Sequence, residues 1–346
     1  MRITTFALLI QAASGLNVAV AGATGRTGQL VVRELLSKGH SVVALTRNVT
    51  KANAALPEVD CRVLDLATCT GEDMKAACAN VDRMLWCASG FTDSGESIDI
   101  RGMAELLPAA FPPSTTPEAA GSSSPIVVML SSAGVTRPAW TDEKKERLVG
   151  ASDIPIIRLN PGGILGKKAE AEQHLRESGV PYCVVRPTGL KFEGWPRGRP
   201  ILSQGDVAVG RTNVDDLACV LVDTLDEPLA SGKTFEMFTL AGYPPPREGI
   251  GCALASLTSD AEGGIEEAAV TATYGVLQQM LPGEEQDATK LEMGRTYEQV
   301  DAGAVAARER GAAPTERELQ LASNVMGTGG GKRTGVRNFL SQLLKR

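Results

Sequence analysis

The sequence predicts an α/β fold, a doubly wound parallel sheet of the Rossmann type with a C-terminal helical appendage. Short apolar runs alternate with helical patterns from residue 17 to residue 240. A glycine-rich turn joins the first apolar run to the first helical pattern. After residue 240 the strand signals stop, and helical stretches rich in Ala, Glu and Arg follow. Such alternation places helices on both faces of a parallel sheet.

The predicted elements follow this alternation along the chain. Strands are predicted at residues 17–21, 41–46, 61–65, 83–88, 126–131, 182–186 and 235–240. Helices are predicted near residues 26–38, 71–80, 98–111, 141–149, 167–178 and 214–226. In an open parallel sheet a ligand binds beyond the carboxyl ends of the strands, where the strand order reverses. The residues that follow each predicted strand are therefore the candidates for a binding site.

The turn after the first strand has the glycine spacing of a dinucleotide-binding fold. Gly22 permits a tight turn, Gly25 lets a pyrophosphate approach the backbone, and Gly28 lets the helix pack close to the sheet. The start of the helix offers unpaired N–H groups and a positive dipole end to phosphate oxygens. The alternative is an ordinary glycine-rich turn without a ligand. The cofactor contacts predicted here are Gly22, Thr24, Gly25, Arg26, Thr27 and Gly28.

A cation follows the second strand, where a carboxylate usually binds the adenosine ribose of NAD. Arg47 occupies this position, Lys51 follows closely, and there is no acidic residue between them. A cation suits the 2′-phosphate of NADP, and Arg26 in the glycine turn would add a second phosphate contact. The sequence therefore favours NADP over NAD, the alternative being that Arg47 is a solvated loop charge.

The composition narrows the class of partner. The net charge of the 346 residues is -6, and no basic patch is interleaved with aromatic residues, which argues against a nucleic-acid surface. The seven cysteines contain no C-x-x-C pair, which indicates packing roles in a reducing compartment. The two histidines lie far apart, and no cluster suggests a metal site. We expect a small-molecule substrate, no nucleic acid and no metal.

Residues outside the domain at 16–240, and one loop within it, lack the alternation of strand and helix patterns. Residues 1–15 are an N-terminal extension or a targeting segment, and residues 112–125 read as a long loop. Residues 241–346 are expected to form a helical extension, partly flexible, with helices near 261–282, 284–310 and 315–325. In this extension residues 327–332 resemble a P-loop, but Arg333 stands where Ser or Thr would bind magnesium, so a hinge is expected.

Beyond that hinge, residues 332–346 have apolar side chains at helical spacing, surrounded by Lys and Arg. A basic amphipathic helix of this kind docks on an anionic membrane or on a protein partner. The alternative is a terminal helix packed on its own domain.

Several segments together resemble the atypical short-chain dehydrogenases/reductases of the NAD(P)-binding NmrA-like group. They are VAVAGATGRTG at residues 18–28, WCASG at 86–90, VMLSSAG at 128–134, KAEAEQHLRESGVPYCVVRPTGL at 168–190 and VDDLA at 214–218. The resemblance covers residues 16–240 and implies the fold and the cofactor, but no particular substrate. It also suggests the plastid stroma as an alternative to the cytoplasm for a soluble protein.

Residues after the later strands are predicted to line the cofactor. Asp65 would accept from the adenine amino group, the alternative being a helix cap. Small residues after the fourth strand would let a ribose pass, and residues after the fifth and sixth strands would face the nicotinamide. Arg186 is either part of this site or an ion-pair partner within the fold. The predicted contacts are Asp65, Ala88, Ser89, Gly90, Ser132, Pro187 and Thr188.

The catalytic residues depart from the pattern that the resemblance implies. The wider superfamily uses a Ser, a proton-transferring Tyr and a Lys four residues after it. Here Lys168 aligns with the Lys, but Ile164 stands where the Tyr would be. Ser131 and Lys168 are the predicted catalytic residues, and Asn160 is expected to support them or to form a turn.

Two functions follow as hypotheses. The first is an NADPH-dependent oxidoreductase of a small carbonyl or quinone-like substrate. The second is a non-catalytic NADP(H)-sensing regulator or scaffold, which docks a partner or a membrane through its C-terminal helix.

Overall fold

The computed structural model describes residues 15–113 and 124–280. The strands in these ranges are β1 (Asn17–Ala21), β2 (Ser41–Thr46), β3 (Asp60–Val63), β4 (Arg83–Trp86), β5 (Val127–Leu130), β6 (Tyr182–Pro187), β7 (Gly189–Lys191), β8 (Gly198–Ser203), β9 (Arg211–Asn213) and β10 (Lys233–Ala241). The α-helices are α1 (Arg26–Ser37), α2 (Val49–Ala55), α3 (Gly71–Ala77), α4 (Ile98–Arg101), α5 (Leu107–Ala110), α6 (Asp142–Arg147), α7 (Val149–Ser152), α8 (Pro155–Leu159), α9 (Ile164–Glu177), α10 (Val214–Asp226), α11 (Gly251–Ala255) and α12 (Glu267–Met280). A π-helical turn (Gly102–Leu106) makes α4 and α5 continuous.

Eight strands form one sheet in the order β3-β2-β1-β4-β5-β6-β10-β8. Every neighbouring pair is parallel except β10 and β8, which are antiparallel. Strands β7 and β9 pair with each other as a separate parallel ribbon. The chain builds β2 and β3 on one side of β1 and then crosses to β4 on the other side. The strand order therefore reverses between β1 and β4, and the predicted doubly wound α/β fold is confirmed.

Both faces of the sheet are buried, because apolar residues of each strand alternate between two core clusters. In β1, Val18 and Val20 belong to the cluster that includes side chains of α1 and α10. Ala19 and Ala21 belong to the cluster on the opposite face, which includes side chains of α3, α5 and α9. This is why the strands read as nearly continuous apolar runs in the sequence.

Three predicted strands are shorter than the sequence suggested, and one of them, β5, lacks one residue at each end of the predicted range 126–131. The strand predicted at 61–65 ends at Val63 in the structure, although the Leu64 amide still donates to the Thr46 carbonyl. The strand predicted at 83–88 ends at Trp86 in the structure, after which the Cys87 amide donates a last hydrogen bond to the Ala21 carbonyl. Both extensions are the first residues of turns at the carboxyl edge of the sheet.

Several short elements were not predicted at all. Helix α2 begins after Asn48, whose side chain accepts from the Lys51 amide. Strands β7 and β9 have only three residues each, and β8 contains Pro200. Their sequences carry little apolar alternation, because pairing at an edge or in a small ribbon requires little burial.

The stretch after β10 packs onto the domain. Ile250 and Leu254 join the core cluster of the α1 side, and Val270 and Leu277 of α12 pack in a further cluster with Val207. Of the helix predicted near 261–282, residues 267–280 are confirmed as α12; the prediction began too early, because Gly263 and Gly264 adopt positive φ angles before it. The other predictions for residues 1–14, 114–123 and 281–346 lie outside the described residues. Within the described ranges, no helix has the length and apolar character needed to cross a lipid bilayer.

Candidate functional site

The glycine turn after β1 is closed by contacts that leave no room for side chains. Gly22 has a φ of 78°, and a Cβ there would lie 2.8 Å from the Ala88 amide nitrogen. A Cβ on Gly28 would lie 2.1 Å from the Gly22 carbonyl oxygen. The Gly25 amide donates to the same oxygen at 2.9 Å. The turn therefore abuts the end of β4, at the point where the strand order reverses.

The start of α1 is open to an anion. Gly25 is the N-cap, no side chain caps the helix within the described part of the chain, and the first turn contains no acidic residue. The first amide that is bonded back into the helix is that of Gln29, to Gly25. The preceding amides therefore have no partner within the helix, and together with the positive end of the helix dipole they could bind a phosphate.

The two predicted phosphate-binding arginines, Arg26 at the first position of α1 and Arg47 after β2, lie in different environments. Arg47 is exposed just after β2, and no carboxylate of the described residues lies within ion-pair distance of it. The Arg26 guanidinium lies 4.1 Å from the centroid of the Phe192 ring, in the segment after β7. Arg47 is thus available to a ligand, whereas Arg26 already has an aromatic partner.

Asp65 shapes the loop at the far edge of the sheet. Its Oδ1 accepts from the Ala67 amide at 3.0 Å, and its carbonyl accepts from the amides of Thr68 and Cys69. Asp65 also borders a surface cavity of about 430 Å³ together with Thr68 and Asp73. One carboxylate oxygen therefore holds the loop in shape, and the residue still faces open space. Its contact with adenine stays a prediction.

A buried carboxylate, Asp99, organises the end of β4 and was not predicted from the sequence. Only 1% of Asp99 is exposed, and it accepts from the Trp86 indole at 3.3 Å, the Ser89 hydroxyl at 3.1 Å and Lys168 Nζ at 3.2 Å. It is the second residue of α4, two positions after the cap residue Ser97. An acid in the first turn of a helix usually indicates only a favourable helix dipole, so the sequence signal was ambiguous.

Close packing brings Asp99 onto the sheet. A Cβ on Gly102 would lie 2.2 Å from the Trp86 ring, so glycine lets the helix approach the fully buried indole. Asp99 is thereby held against the residues that follow β4. Ala88 and Gly90 lie on either side of Ser89 in this segment, and their contact with a ribose stays a prediction.

Helix α9 presents four residues in a row toward the sheet, spaced by four positions. Ile164 comes first and packs with Val135 and Phe91 in an apolar cluster. Lys168 follows, with 8% of its surface exposed, and then come Glu172 and Arg176. The position that the resemblance assigns to a proton-transferring tyrosine is therefore an apolar contact one turn before the lysine.

Glu172 is the second buried carboxylate of the site. Its oxygens accept from Ser131 Oγ at 2.5 Å, from Arg186 at 3.0 and 2.5 Å, and from Arg176 at 2.9 Å. Burial alone would raise the pKa of this carboxyl group, but the charges of Arg186 and Arg176 outweigh burial and lower it. Arg186 is thus an ion-pair partner inside the fold, one of the two alternatives that the sequence left open.

Except for Asn160, the remaining predicted residues lie at the carboxyl ends of β5 and β6. The Ser132 hydroxyl donates to the Ala133 carbonyl at 3.0 Å, and the Ala133 amide bonds to the Pro187 carbonyl. Thr188 Oγ1 lies 3.1 Å from Thr212 Oγ1. Asn160 adopts a left-handed conformation and its side chain accepts from the Leu165 amide, so it forms the turn into α9.

Cysteine chemistry contributes little to this site. All seven cysteines are free thiols. Burial raises the pKa of the Cys87 thiol to about 12, although the nearby Lys168 charge opposes the shift. Cys87 therefore stays protonated at neutral pH and is a packing residue rather than a nucleophile.

A family model for NAD(P)H-binding domains matches residues 22–228, more than half of the chain. The protein therefore belongs to the NAD(P)-binding Rossmann family, in its NmrA-like, atypical short-chain dehydrogenase/reductase branch. This confirms the resemblance drawn from the sequence and an oxidoreductase-like fold with NAD(P) as the class of cofactor.

Two curated relatives are chloroplastic plant proteins. The chain is 30% identical over 237 residues to an uncharacterized chloroplastic protein of Arabidopsis thaliana, covering 66% of this chain and 78% of that one. It is 29% identical over 191 residues to the chloroplastic protein TIC 62 of Pisum sativum, covering 50% of this chain and 33% of that protein. The chain thus spans only a third of the length of TIC 62.

Solved structures show the same fold. A putative NAD-dependent epimerase/dehydratase from Bacillus halodurans superposes with a TM-score of 0.51 at 24% identity, over 70% of this chain and 100% of that one. An oxidoreductase from Lactococcus lactis gives a TM-score of 0.50 at 19% identity, over 73% of this chain and 100% of that one. At these identities the likeness concerns the fold alone.

Proposed function

We propose that the protein binds NADP(H) and is an oxidoreductase of a small carbonyl or quinone-like compound. The observation that carries the proposal is the buried Lys168 ammonium group, which Asp99 holds at 3.2 Å beside the end of β4. An unpaired buried charge lowers the stability of the folded protein, so the ammonium group needs its carboxylate partner. Buried charged groups with such a partner are common at binding and catalytic sites. The open start of α1 and the exposed Arg47 support a nucleotide with an extra phosphate.

Bound NADPH would supply a hydride to the carbonyl carbon, and the π electrons of the C=O bond would then move to its oxygen. Lys168 carries three N–H donors, of which one is engaged by Asp99. The others would stabilise the developing negative charge on that oxygen and give it a proton, which solvent would replace. Ile164 has no proton to give, so this task falls to Lys168.

Lys168→Met is expected to reduce the rate of NADPH consumption by about 100-fold or more, the usual contribution of a positioned proton donor. The measurement is the loss of NADPH absorbance against a panel of small aldehydes, ketones and quinones. Lys167→Met is the matched control, because the Lys167 ammonium bonds to the Gly95 carbonyl, away from Asp99. The proposal fails if the parent turns over no member of the panel, or if both variants keep the parent rate.

Arg47→Asp is expected to weaken NADPH binding by about 10- to 100-fold while leaving NADH binding within about threefold, since one charge-assisted bond to the 2′-phosphate is lost. Isothermal calorimetry with both coenzymes measures the change. Arg33→Asp on the exposed side of α1 is the control for net charge. An equal loss for NADPH and NADH, or none for either, would show that Arg47 does not select the cofactor.

A second candidate is a non-catalytic NADP(H)-sensing regulator or scaffold. The observation in its favour is Ile164, buried in an apolar cluster where the tyrosine would stand. In this case residues 332–346, which lie outside the described ranges, would dock a membrane or a partner. Deletion of residues 327–346 tests this role: it predicts loss of recovery with membranes or a partner, and unchanged recovery excludes docking.

The plastid is the proposed compartment, with the cytoplasm as the alternative. Support comes from the two chloroplastic relatives. Fractionation of cells that express the full chain would decide between the two.

A further inference from the structure

Four hydroxyl groups line the carboxyl ends of the central strands, and each is bonded to a group of the protein itself. We call them the hydroxyl wall: Ser89 after β4, Ser131 and Ser132 after β5, and Thr188 after β6. A hydroxyl has one proton to donate and two lone pairs with which to accept. The direction of each bond therefore decides what the wall can offer to a ligand.

For Ser89 and Ser131 the direction is set by carboxylates. Ser89 Oγ lies 3.1 Å from Asp99 Oδ2, and Ser131 Oγ lies 2.5 Å from Glu172 Oε1. An ionised carboxylate only accepts, so each serine must donate to it. The lowered pKa of Glu172 keeps that carboxylate ionised at neutral pH. Both serine protons are therefore committed to the protein.

For Ser132 and Thr188 the direction is set by carbonyls. Ser132 donates to the Ala133 carbonyl. Thr212 Oγ1 lies 3.0 Å from the Met237 carbonyl, which can only accept, so the Thr212 proton is used there. Thr188, 3.1 Å from the Thr212 hydroxyl, must then donate to it. All four members of the wall thus have only lone pairs left.

We propose that the hydroxyl wall is a set of acceptors, which recognises the ligand through N–H donors on the ligand. This inference rests on the proposed function, because the donor in question is the carboxamide N–H of a nicotinamide coenzyme. Ser131 and Thr188 follow the neighbouring strands β5 and β6, whose carboxyl ends are predicted to face the nicotinamide. Donation to a carbonyl oxygen of the substrate then falls to Lys168 alone, and Ser131 has no part in it.

Glu172 acts here as a positioning residue, since it touches Ser131 and not the ligand. In Glu172→Gln the amide can instead donate to Ser131, which frees the serine proton to point toward the ligand. That substitution converts an acceptor into a donor with almost no change in shape. A purely structural role for Glu172 would not change which ligand groups the site prefers.

The test compares binding of NADP+ with that of its 3-acetylpyridine analogue, in which a methyl group replaces the carboxamide nitrogen and the carbonyl stays. By calorimetry the parent should bind NADP+ about tenfold more tightly than the analogue, because one net hydrogen bond contributes a difference of about this size. Ser131→Ala or Thr188→Val should bring this ratio to about one, and Glu172→Gln should narrow it. Ser37→Ala, whose exposed hydroxyl bonds to the Glu34 carbonyl, should keep the parent ratio.

The outcomes separate the inference from the function on which it rests. A parent that binds both nucleotides equally, or a tenfold ratio that survives in both Ser131→Ala and Thr188→Val, overturns the acceptor role while NADP(H) binding stands. No heat with NADP+ overturns both. Both variants are expected to fold, so a change in binding can be attributed to the lost hydroxyl. Ser131→Ala leaves Glu172 paired with two arginines, and Thr188→Val leaves Thr212 bonded to Met237.

Discussion

Gly28→Ala is expected to abolish nucleotide binding and to lower the free energy of unfolding by about 1–3 kcal/mol, the usual cost of overpacking. The new Cβ would lie 2.1 Å from the Gly22 carbonyl oxygen and 3.0 Å from Ala23 Cα. Both neighbours are backbone atoms, so the clash is relieved only by moving α1 away from the turn. That movement would displace the amides at the start of α1 that have no partner within the helix. Denaturant unfolding and calorimetry with NADPH measure the two effects.

Gly166→Ala is the matched control, because Gly166 also lies inside a helix and its added Cβ would meet no atom within 4 Å. We expect this variant to bind nucleotide normally and to gain up to about 1 kcal/mol from helix propensity. Normal binding by Gly28→Ala would show that the close contact between α1 and the turn is unnecessary.

Glu172→Ala is expected to lower the free energy of unfolding by about 3–5 kcal/mol, since it leaves two arginines without their buried partner. The pH dependence should change as well. The folded pKa of Glu172 is lowered, so the unfolded chain binds the proton more readily, and the stabilisation is present above the unfolded pKa. It is lost as pH falls through the folded pKa. The parent should therefore lose more stability than the variant on acidification below about pH 4.

Glu170→Ala on the same helix provides the comparison. The Glu170 side chain is 58% exposed and lies 4.0 Å from His174, so its removal should change stability by no more than about 0.5 kcal/mol. Unfolding followed by circular dichroism between pH 3 and pH 8 covers both variants. Equal stability of the two would mean that the Glu172 cluster is not a structural requirement.

The sequence was sufficient for the features that depend on neighbours in the chain. The spacing of Gly22, Gly25 and Gly28 and the apolar runs around them are local signals, and the fold follows from their order. The sequence did not predict the partners of the catalytic candidates, because Asp99 looks like an ordinary acid in the first turn of a helix and Glu172 looks like a solvated charge on a polar helix. Their burial depends on which helix face meets the sheet. The spacing by four of Lys168 and Glu172 was the available clue.

Arg26 contacts an aromatic ring of the protein and would also contact a phosphate of a bound coenzyme. Its contact with the Phe192 ring is a cation–π interaction, whereas a phosphate at the start of α1 would offer charge-assisted hydrogen bonds. A guanidinium stacks through its face and donates hydrogen bonds through its edge, so Arg26 could make both contacts at once. The Phe192 ring would then hold the guanidinium in place for the phosphate, and the loop after β7 would contribute to coenzyme binding through Arg26.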